Sequence, residues 1–267
     1  MKKVVIIAAV AVVVLLVVGI IVLTLSLDSL VKKGVETVGP KITQTEMKLE
    51  GANISLLSGS GTLKGFLLGN PEGYKAASAI QFGEASVGVR PMSVLSDKIH
   101  VTHVRVVGPE ITFEGSLGSK NNLNKIMENV EAVTGGAQPA DKGSEKPKAE
   151  PAPGGASKKL QVDDILISGA KVNVTLTALG GRQLTLSIPD IRLTNLGSGP
   201  EGITPGELTK LVLKGINSET YKAVEKAVTD LGKQTLDAVK DVTKGGSNSV
   251  EKATQTLKSV GDLFKKK

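Results

Sequence analysis

The sequence predicts a mainly β protein with additional α-helices. We expect a single N-terminal transmembrane helix, an antiparallel twisted β-sheet or groove with a strand–turn–strand repeat, and amphipathic helices at the C-terminus. An uncharged apolar run near the N-terminus indicates the anchor. Short alternating runs between turn residues indicate the sheet, and apolar residues three or four apart indicate the helices.

Composition excludes several classes of function. The 267 residues include no cysteine, so disulfides, thiolate metal sites and thiol catalysis are ruled out. Aromatic residues make up 2% and tryptophan is absent, which argues against base-stacking platforms for single-stranded nucleic acid. The net charge is +7, but lysines are interspersed with acidic residues along the chain. We therefore expect no nucleic-acid partner and a mild attraction to anionic membrane surfaces.

The clearest signal is the apolar run over residues 4–27, which carries no charge. As a helix this run would extend about 36 Å, enough to cross a hydrocarbon layer of roughly 30 Å. A cleavable signal peptide has a shorter apolar region, about 7–15 residues, followed by a small-x-small site. No such site follows this run. We predict an uncleaved anchor; a cleaved signal and a buried core helix are the alternatives.

The topology is predicted from a weak charge bias, because two lysines lie on either side of the apolar run. We expect residues 1–3 to form a cytoplasmic tail and residues 28–267 to be exported. The protein would then be a single-pass, N-in membrane protein.

The exported part divides by pattern. Residues 28–45 have near-helical apolar spacing ended by Gly39-Pro40, which predicts a juxtamembrane helix. Residues 46–133 and 160–200 are the two predicted β parts. Residues 134–159 have no large apolar residue and are rich in Pro, Gly, Ala, Lys and Glu, which predicts a disordered linker or inserted loop.

The two β parts contain matching segments. Residues 101–114 align without a gap over residues 162–175, and Gly108 falls on Gly169. In both copies the apolar residues are first three apart and then two apart, which is what a β-bulge would produce. We interpret the match as a strand–turn–strand unit used twice, although chance matching of apolar positions remains an alternative.

Residues 204–267 predict C-terminal helices. Thr204 is the expected N-cap, Pro205 the first helical residue and Glu207 the closing residue of a capping box. We expect this helix to end near Asn217-Ser218, and further helices to follow over about 219–243 and 248–264. These later helices could be a weakly packed or disordered tail, could lie on a membrane surface, or could bind a partner.

The search for chemistry predicts no enzyme. His100 and His103 are three residues apart on a predicted strand, where side chains point to opposite faces, so we expect no metal site. Asp163 and Asp164 are adjacent and should diverge, which prevents paired acid–base work. No nucleophile elbow, phosphate-binding loop or dinucleotide fingerprint is present in the sequence. We therefore predict no catalytic residue and no cofactor.

What remains is an apolar face on the predicted sheet. It either packs against the helices as a closed core or stays partly open as a lipid-facing surface, and both interpretations stay open. The residues of this face are Val87, Val89, Ile99, Val101, Ile111, Phe113, Val172, Val174, Leu184 and Leu186.

The stretch "GNPEGY" at residues 69–74 is predicted to be a corner between strands. Asn70, Pro71 and Gly73 occupy the first, second and fourth positions of a type I turn, where each is favoured.

Together with the strands around it, this turn resembles the N-terminal region of AsmA-like envelope proteins. In that family an anchor helix precedes an L-x-G-h-x-h-x-N-P-x-G turn, a segment ending in "SLLS" and a "P-x-h" strand start. The positions of this sequence that carry the likeness are Leu63, Gly65, Asn70, Pro71, Gly73, Leu95, Ser96 and Pro109 to Phe113.

The resemblance implies a β-rich groove anchored in the inner membrane with its bulk in the periplasm. It is similar to the bridge-like lipid-transfer group and implies a part in outer-membrane lipid homeostasis, with phospholipid and envelope proteins as partners. About nine strands would extend only about 43 Å, so this chain is too short to bridge a periplasm alone. The alternative is a membrane-tethered structural or interaction domain, similar to the late-embryogenesis β domain, with no lipid cargo.

Overall fold

A computed structural model describes residues 27–55, 57–118, 120–135, 158–176 and 183–243, with side chains of 234–243 left out. The first described helix, α1, covers residues 27–43. The strands are β1 (Met47–Ser55), β2 (Ser60–Gly69), β3 (Ser78–Val89), β4 (Lys98–Val107), β5 (Glu110–Gly115), β6 (Lys159–Ser168), β7 (Lys171–Leu176), β8 (Gln183–Ser187) and β9 (Ile191–Leu196). A short 3-10 helix at Pro91–Leu95 separates β3 from β4, and two more α-helices are α2 (Asn122–Thr134) and α3 (Pro205–Thr243).

The described strands form one mixed sheet. Its order is β8-β7-β5-β3-β4-β6-β9, and β2 joins β1 to β3. The prediction of a mainly β protein with helices is confirmed at this level, but the prediction of an antiparallel sheet is wrong. β4 pairs with β6, and β5 with β7, in parallel. Parallel neighbours need a crossover connection of about a dozen residues or more, and the segment between β5 and β6 provides it.

The matching segments are hydrogen-bonded neighbours in this sheet. Val101 pairs with Val162 and Phe113 with Val174, so each residue lies beside the residue with which the repeat aligns it. Gly108 and Gly169 both have φ of 62°. Gly108 N donates to the carbonyl of Ser168 at 2.8 Å. The bends at Gly108 and Gly169 therefore lie next to each other. The backbone at both positions is left-handed, a conformation that favours glycine.

The predicted break in strand period is a register shift. Gly88 of β3 pairs with His103, but the next residue, Val89, pairs with Val101. Thr102 is therefore the extra residue of a β-bulge in β4. The bulge resets which face the side chains point to, and this explains the spacing of apolar residues in the sequence.

Helix α1 covers the outer edge of β1, a strand that pairs only with β2. Ile54 N donates to Asp28 Oδ1 at 2.8 Å, and Lys32 Nζ donates to the carbonyl of Glu50 at 3.3 Å. The helix side chains thus bind main-chain groups that an edge strand leaves unpaired.

Helix α1 also continues past the predicted stop at Gly39-Pro40 and ends at residue 43. A Cβ at Gly39 would lie 2.3 Å from the sulfur of Met47, so a larger residue there would require the Met47 side chain to move.

Two helices differ from the sequence prediction. Helix α2 falls within the segment predicted as strands; its N-cap is Asn121, whose side chain accepts from Asn124 N at 2.9 Å. Helix α3 is continuous from Pro205 to Thr243, so the predicted break at Asn217-Ser218 is wrong. Asn217 Nδ2 donates to Asn124 Oδ1 at 2.6 Å, which gives this helix-disfavouring residue a partner on α2. The predicted segment 248–264 lies outside the described residues.

Among the described residues no helix is long and apolar enough to cross a membrane. All but the last residue of the predicted anchor lies outside the described ranges.

The hydrophobic core lies between the sheet and helices α2 and α3. Ile111, Phe113, Val172 and Val174 are buried at its centre. Full burial of each such side chain contributes about 1.5–3 kcal/mol to folding. These four residues form two cross-strand pairs between β5 and β7.

Candidate functional site

An apolar cavity of about 290 Å³ lies beside this core, between the first turns of α3 and the inner face of the sheet. Strands contribute its floor, and the floor residues are Met47, Leu63, Phe66, Leu68, Ile80, Phe82, Ala85, Val104, Val106, Ile111, Ile165 and Ile167. Helix α3 contributes its roof, and the roof residues are Leu208, Thr209, Val212, Leu213 and Ile216. Several floor residues are only half-buried, so the cavity opens towards solvent.

Two hydroxyl groups in the lining are turned to main-chain carbonyls. Thr43 Oγ1 donates to the carbonyl of Gly39 at 3.0 Å, and Thr209 Oγ1 donates to that of Pro205 at 2.9 Å. The rings of Phe66 and Phe82 stack with centroids 4.8 Å apart on the floor. The surface that faces the cavity is therefore hydrocarbon, which suits an apolar ligand and stays dry without one.

The size of the cavity limits what it can hold. Ligand pockets in proteins span roughly 300–1,000 Å³, and 290 Å³ lies at the lower end of that range. The space suits part of one hydrocarbon chain rather than a whole phospholipid. A longer chain or a head group would have to remain outside the mouth.

The predicted apolar face divides into two groups. Ile111, Phe113, Val172 and Val174 are buried in the core, and of these only Ile111 also lines the cavity. The other predicted residues are half-buried: Val87, Val89, Ile99, Val101, Leu184 and Leu186. The closed-core interpretation therefore describes the first group, and an open surface stays a prediction for the second.

Sequence reasoning missed the aromatic part of the floor. Phe66 and Phe82 are two of the four phenylalanines in the chain, and this scarcity was the available signal. Leu208, Val212 and Ile216 of the roof are each four residues apart, which is the spacing of one helix face.

The outer face of the sheet is polar and carries ion pairs. Asp164 binds the guanidinium groups of Arg105 and Arg192, the latter with Nε 2.9 Å from Oδ1. The hydrogen bond from Arg192 is the main cause that lowers the pKa of Asp164, and Arg105 adds to it. Asp163 has a different partner.

That partner is His100, whose Nε2 lies 2.7 Å from Oδ2 of Asp163. The hydrogen bond from His100 is the main cause that lowers the pKa of Asp163. His103 instead has Nδ1 at 3.3 Å from the hydroxyl of Thr102. Within the described ranges no three His, Asp or Glu side chains are grouped so that they could hold a metal ion.

The hydrogen-bonded turn in "GNPEGY" lies one residue later than the predicted turn. Tyr74 N donates to the carbonyl of Pro71 at 3.3 Å, so the turn covers residues 71–74. Gly73 is its third residue and has φ of 94°, the sign that a type II turn requires at this position. The type I assignment over 70–73 stays a prediction.

Asn70 connects this corner to helix α2. Its Oδ1 accepts from Asn122 Nδ2 at 2.7 Å, and its Nδ2 donates to the carbonyl of Ala76 at 2.9 Å. Asn122 is the first residue of α2 and also donates to the carbonyl of Thr112 at 2.8 Å. The role of Asn70 is therefore structural. Glu72, two residues further along the chain, is exposed.

The start of α3 has the two hydrogen bonds of a capping box. Thr204 N donates to Glu207 Oε2 at 2.7 Å, and Glu207 N donates to Thr204 Oγ1 at 3.1 Å. The bond from the main chain of Thr204 is the main cause that lowers the pKa of Glu207. Pro205 is the first residue of the helix, so the cap fixes where the roof of the cavity begins.

No protein-family model, no curated protein and no solved structure matches this chain. The resemblance to AsmA-like proteins therefore rests on the residues of the sequence alone.

Proposed function

We propose that this is a non-enzymatic, AsmA-like protein, anchored in the inner membrane with its bulk in the periplasm. Its function is to hold a hydrocarbon chain of a phospholipid and so to assist homeostasis of the cell envelope and outer membrane. The observation that carries the proposal is the cavity between α3 and the sheet, whose lining presents hydrocarbon.

The chemistry of the cavity supports an acyl chain as ligand. The two hydroxyls in the lining already donate to main-chain carbonyls, so a polar ligand would lose its hydrogen bonds with water on entry. An acyl chain loses none and gains about 25 cal/mol for each Å² of apolar surface removed from water. One chain of a phospholipid would enter while its head group stays outside.

The contacts of the ionisable groups support a non-catalytic function. Asp163 is hydrogen-bonded to His100 and Asp164 is held in ion pairs, both on the outer face, on the opposite side of the sheet from the cavity. Glu207 is occupied in the helix cap. These carboxyl groups are bound to structural partners, whereas a catalytic acid or base would have to contact a substrate.

The test uses the full-length protein in detergent micelles with a photoactivatable fatty acid. After irradiation, peptides that carry the probe are identified by mass spectrometry. We expect labelled peptides from β2, β3 and the first turns of α3. Labelling spread evenly over the surface, or absent, would contradict the proposal.

A matched pair of variants makes this test specific. Ala85 lines the floor and is buried, whereas its neighbour Ser86 is exposed and is not part of the lining. Ala85→Phe puts a ring into the cavity and should remove most of the labelling. Ser86→Phe puts the same ring on the other face and should leave the labelling as in the unchanged protein.

A second candidate is a membrane-tethered structural or interaction domain without lipid cargo. The closed core around Phe113, which is sealed by α2 and α3, is the observation that favours it. Chemical crosslinking in cells would then return one protein partner in a fixed ratio. The photoactivatable probe would find no preferred peptide.

A further inference from the structure

One end of the sheet combines the start of α1, the turn between β1 and β2, and the 3-10 helix. Ile54 N donates to Asp28 Oδ1 at 2.8 Å, which places the start of α1 beside the end of β1. Val89 N donates to the carbonyl of Gly59 at 2.7 Å, which joins the end of β3 to the β1–β2 turn. The 3-10 helix begins two residues after Val89. We name this region the near end.

The near end exposes large apolar side chains. Leu57 in the β1–β2 turn and Met92 in the 3-10 helix each have 80% of their surface exposed. Leu95 is 69% exposed and Leu30, in the first turns of α1, is 62% exposed. Such a group on several different elements marks a surface that contacts a partner, whereas scattered single residues would not.

Cationic side chains surround this apolar group. Lys98 Nζ donates to the carbonyl of Gly199 at 3.1 Å, and Lys158 Nζ donates to that of Val94. Arg90 directly precedes the 3-10 helix. Asp97 in the same loop and Asp28 at the start of α1 are acidic, so the three cationic side chains named here outnumber two acidic ones. Apolar tips beside lysine and arginine are the pattern of surfaces that bind anionic lipid head groups.

The position of the apolar run in the chain adds an independent argument. Residues 4–27 immediately precede Asp28, and Asp28 lies at the near end. The proposed anchor would therefore join the described part of the chain at the near end. Such an anchor would bring the near end against the bilayer.

We propose that the near end docks on an anionic phospholipid bilayer, with Leu57, Met92 and Leu95 in the interface between head groups and acyl chains. The proposal rests on the membrane anchor of the proposed function and adds an orientation to it. The docking proposal also assigns a role to the half-buried residues of the inner face. Val89 pairs with Val101, and Val87 pairs with Val104 of the cavity floor, so apolar side chains extend from the near end to the cavity.

The absence of cysteine makes a direct test simple, because any introduced cysteine is the only one. Full-length Leu57→Cys and Met92→Cys are labelled with an environment-sensitive dye and reconstituted into vesicles of phosphatidylcholine and phosphatidylglycerol in equal parts. The vesicles contain lipids brominated on the acyl chain, which quench a dye at that depth. The control is Glu72→Cys, exposed in the turn at the opposite end of the sheet.

We expect strong loss of fluorescence at positions 57 and 92 and little at position 72. Equal and weak quenching at all three positions overturns the proposal. A second measurement places the dye at Leu95→Cys in a chain that also carries Leu57→Asp and Met92→Asp. We expect the quenching at position 95 to be lost there, and to persist when Leu211→Asp changes an exposed leucine of α3 instead.

Failures of the two proposals have different signatures. A chain that stays in the vesicles after an alkaline wash, but whose dyes are not quenched, contradicts docking and leaves the anchor intact. Quenched dyes together with no preferred fatty-acid labelling support docking and contradict the lipid-holding function. A chain that the wash removes from the vesicles contradicts the anchor and docking together.

Discussion

The two halves of the inner face of the sheet have similar apolar side chains, but the helices cover them differently. Over β5 and β7 the helices approach closely, and Phe113, Val172 and Val174 have no more than 1% of their surface exposed. Over β2, β3 and β4 the cover given by the described helices comes from the first turns of α3, and a cavity remains. Apolar composition alone therefore does not decide between core and binding surface. The number of covering helices does.

The largest effect expected from this comparison is the loss of a core ring. Phe113→Ala should lower the free energy of unfolding by about 3–5 kcal/mol, because it leaves a cavity that the surrounding core cannot fill. Phe82→Ala should cost clearly less, because that ring is half-buried and already borders open space. Denaturant unfolding of the full-length protein in detergent, followed by circular dichroism, measures both. Equal losses would show that the two halves are packed alike.

The next effect concerns how α2 is held over the closed half. Asn122 is buried, and Asn122→Ala would leave Asn70 Oδ1, the carbonyl of Thr112 and the amide of Glu114 without this partner. We expect a loss of about 1–3 kcal/mol in the free energy of unfolding. The control is Asn53→Ala, at an exposed position of β1. If both variants unfold at the same denaturant concentration, the network does not hold the helix.

A smaller effect of opposite sign is expected in the open half. Ala85→Phe fills the cavity and should raise the free energy of unfolding by about 0.5–2 kcal/mol when the ring finds room. The same variant should lose lipid labelling, so stability and binding move in opposite directions. Thermal unfolding of Ala85→Phe beside Ser86→Phe tests this, and a lower melting temperature for Ala85→Phe would show that the cavity is already filled or closed.

The smallest effect is on the outer face and depends on pH. The pKa values of Asp163 and Asp164 are lowered in the folded protein, chiefly by hydrogen bonds from His100 and Arg192. Their stabilising contribution is therefore present above the unfolded carboxyl pKa of about 3.9, and it is lost as the pH falls through the lowered values.

Melting temperature measured against pH should thus fall less steeply below about pH 4 in Asp164→Asn than in the unchanged protein. Asp230→Asn, at an exposed position of α3, is the control. An acid limb that is the same in all three proteins would show that these ion pairs do not contribute.

The sequence predicted those parts of the fold that are recorded locally. The break in period at Val101 and Val104 revealed the bulge, and the shared glycine revealed the bend. Thr204 and Glu207 are three residues apart, so their reciprocal bonds depend on little else. The parallel pairing could not be predicted from local sequence, because it depends on where the crossover connection brings the chain back to the sheet.

The missed elements share one physical cause. Helix α2 begins with Asn121 and Asn122, which alone suggest a turn, and it is stabilised by contacts with the distant Asn70 and Thr112. The continuity of α3 across Asn217 likewise depends on a bond to Asn124 of α2. The cavity depends on the distance between a helix and a sheet, and no spacing of residues within one segment encodes that distance.

Under the proposed membrane anchor, the cover that α1 gives to β1 would have a consequence for many copies of the chain on one membrane. Copies anchored in this way would share one height and one orientation, so lateral diffusion would bring the same strand edges together repeatedly. An open β1 edge could then recruit the sheet of a neighbour and grow into a two-dimensional aggregate. With Asp28 and Lys32 already bound to the main chain of that strand, such encounters find no free template on this side. If the chain is anchored as proposed, α1 would thereby let the protein be abundant on a membrane without joining its copies at this edge.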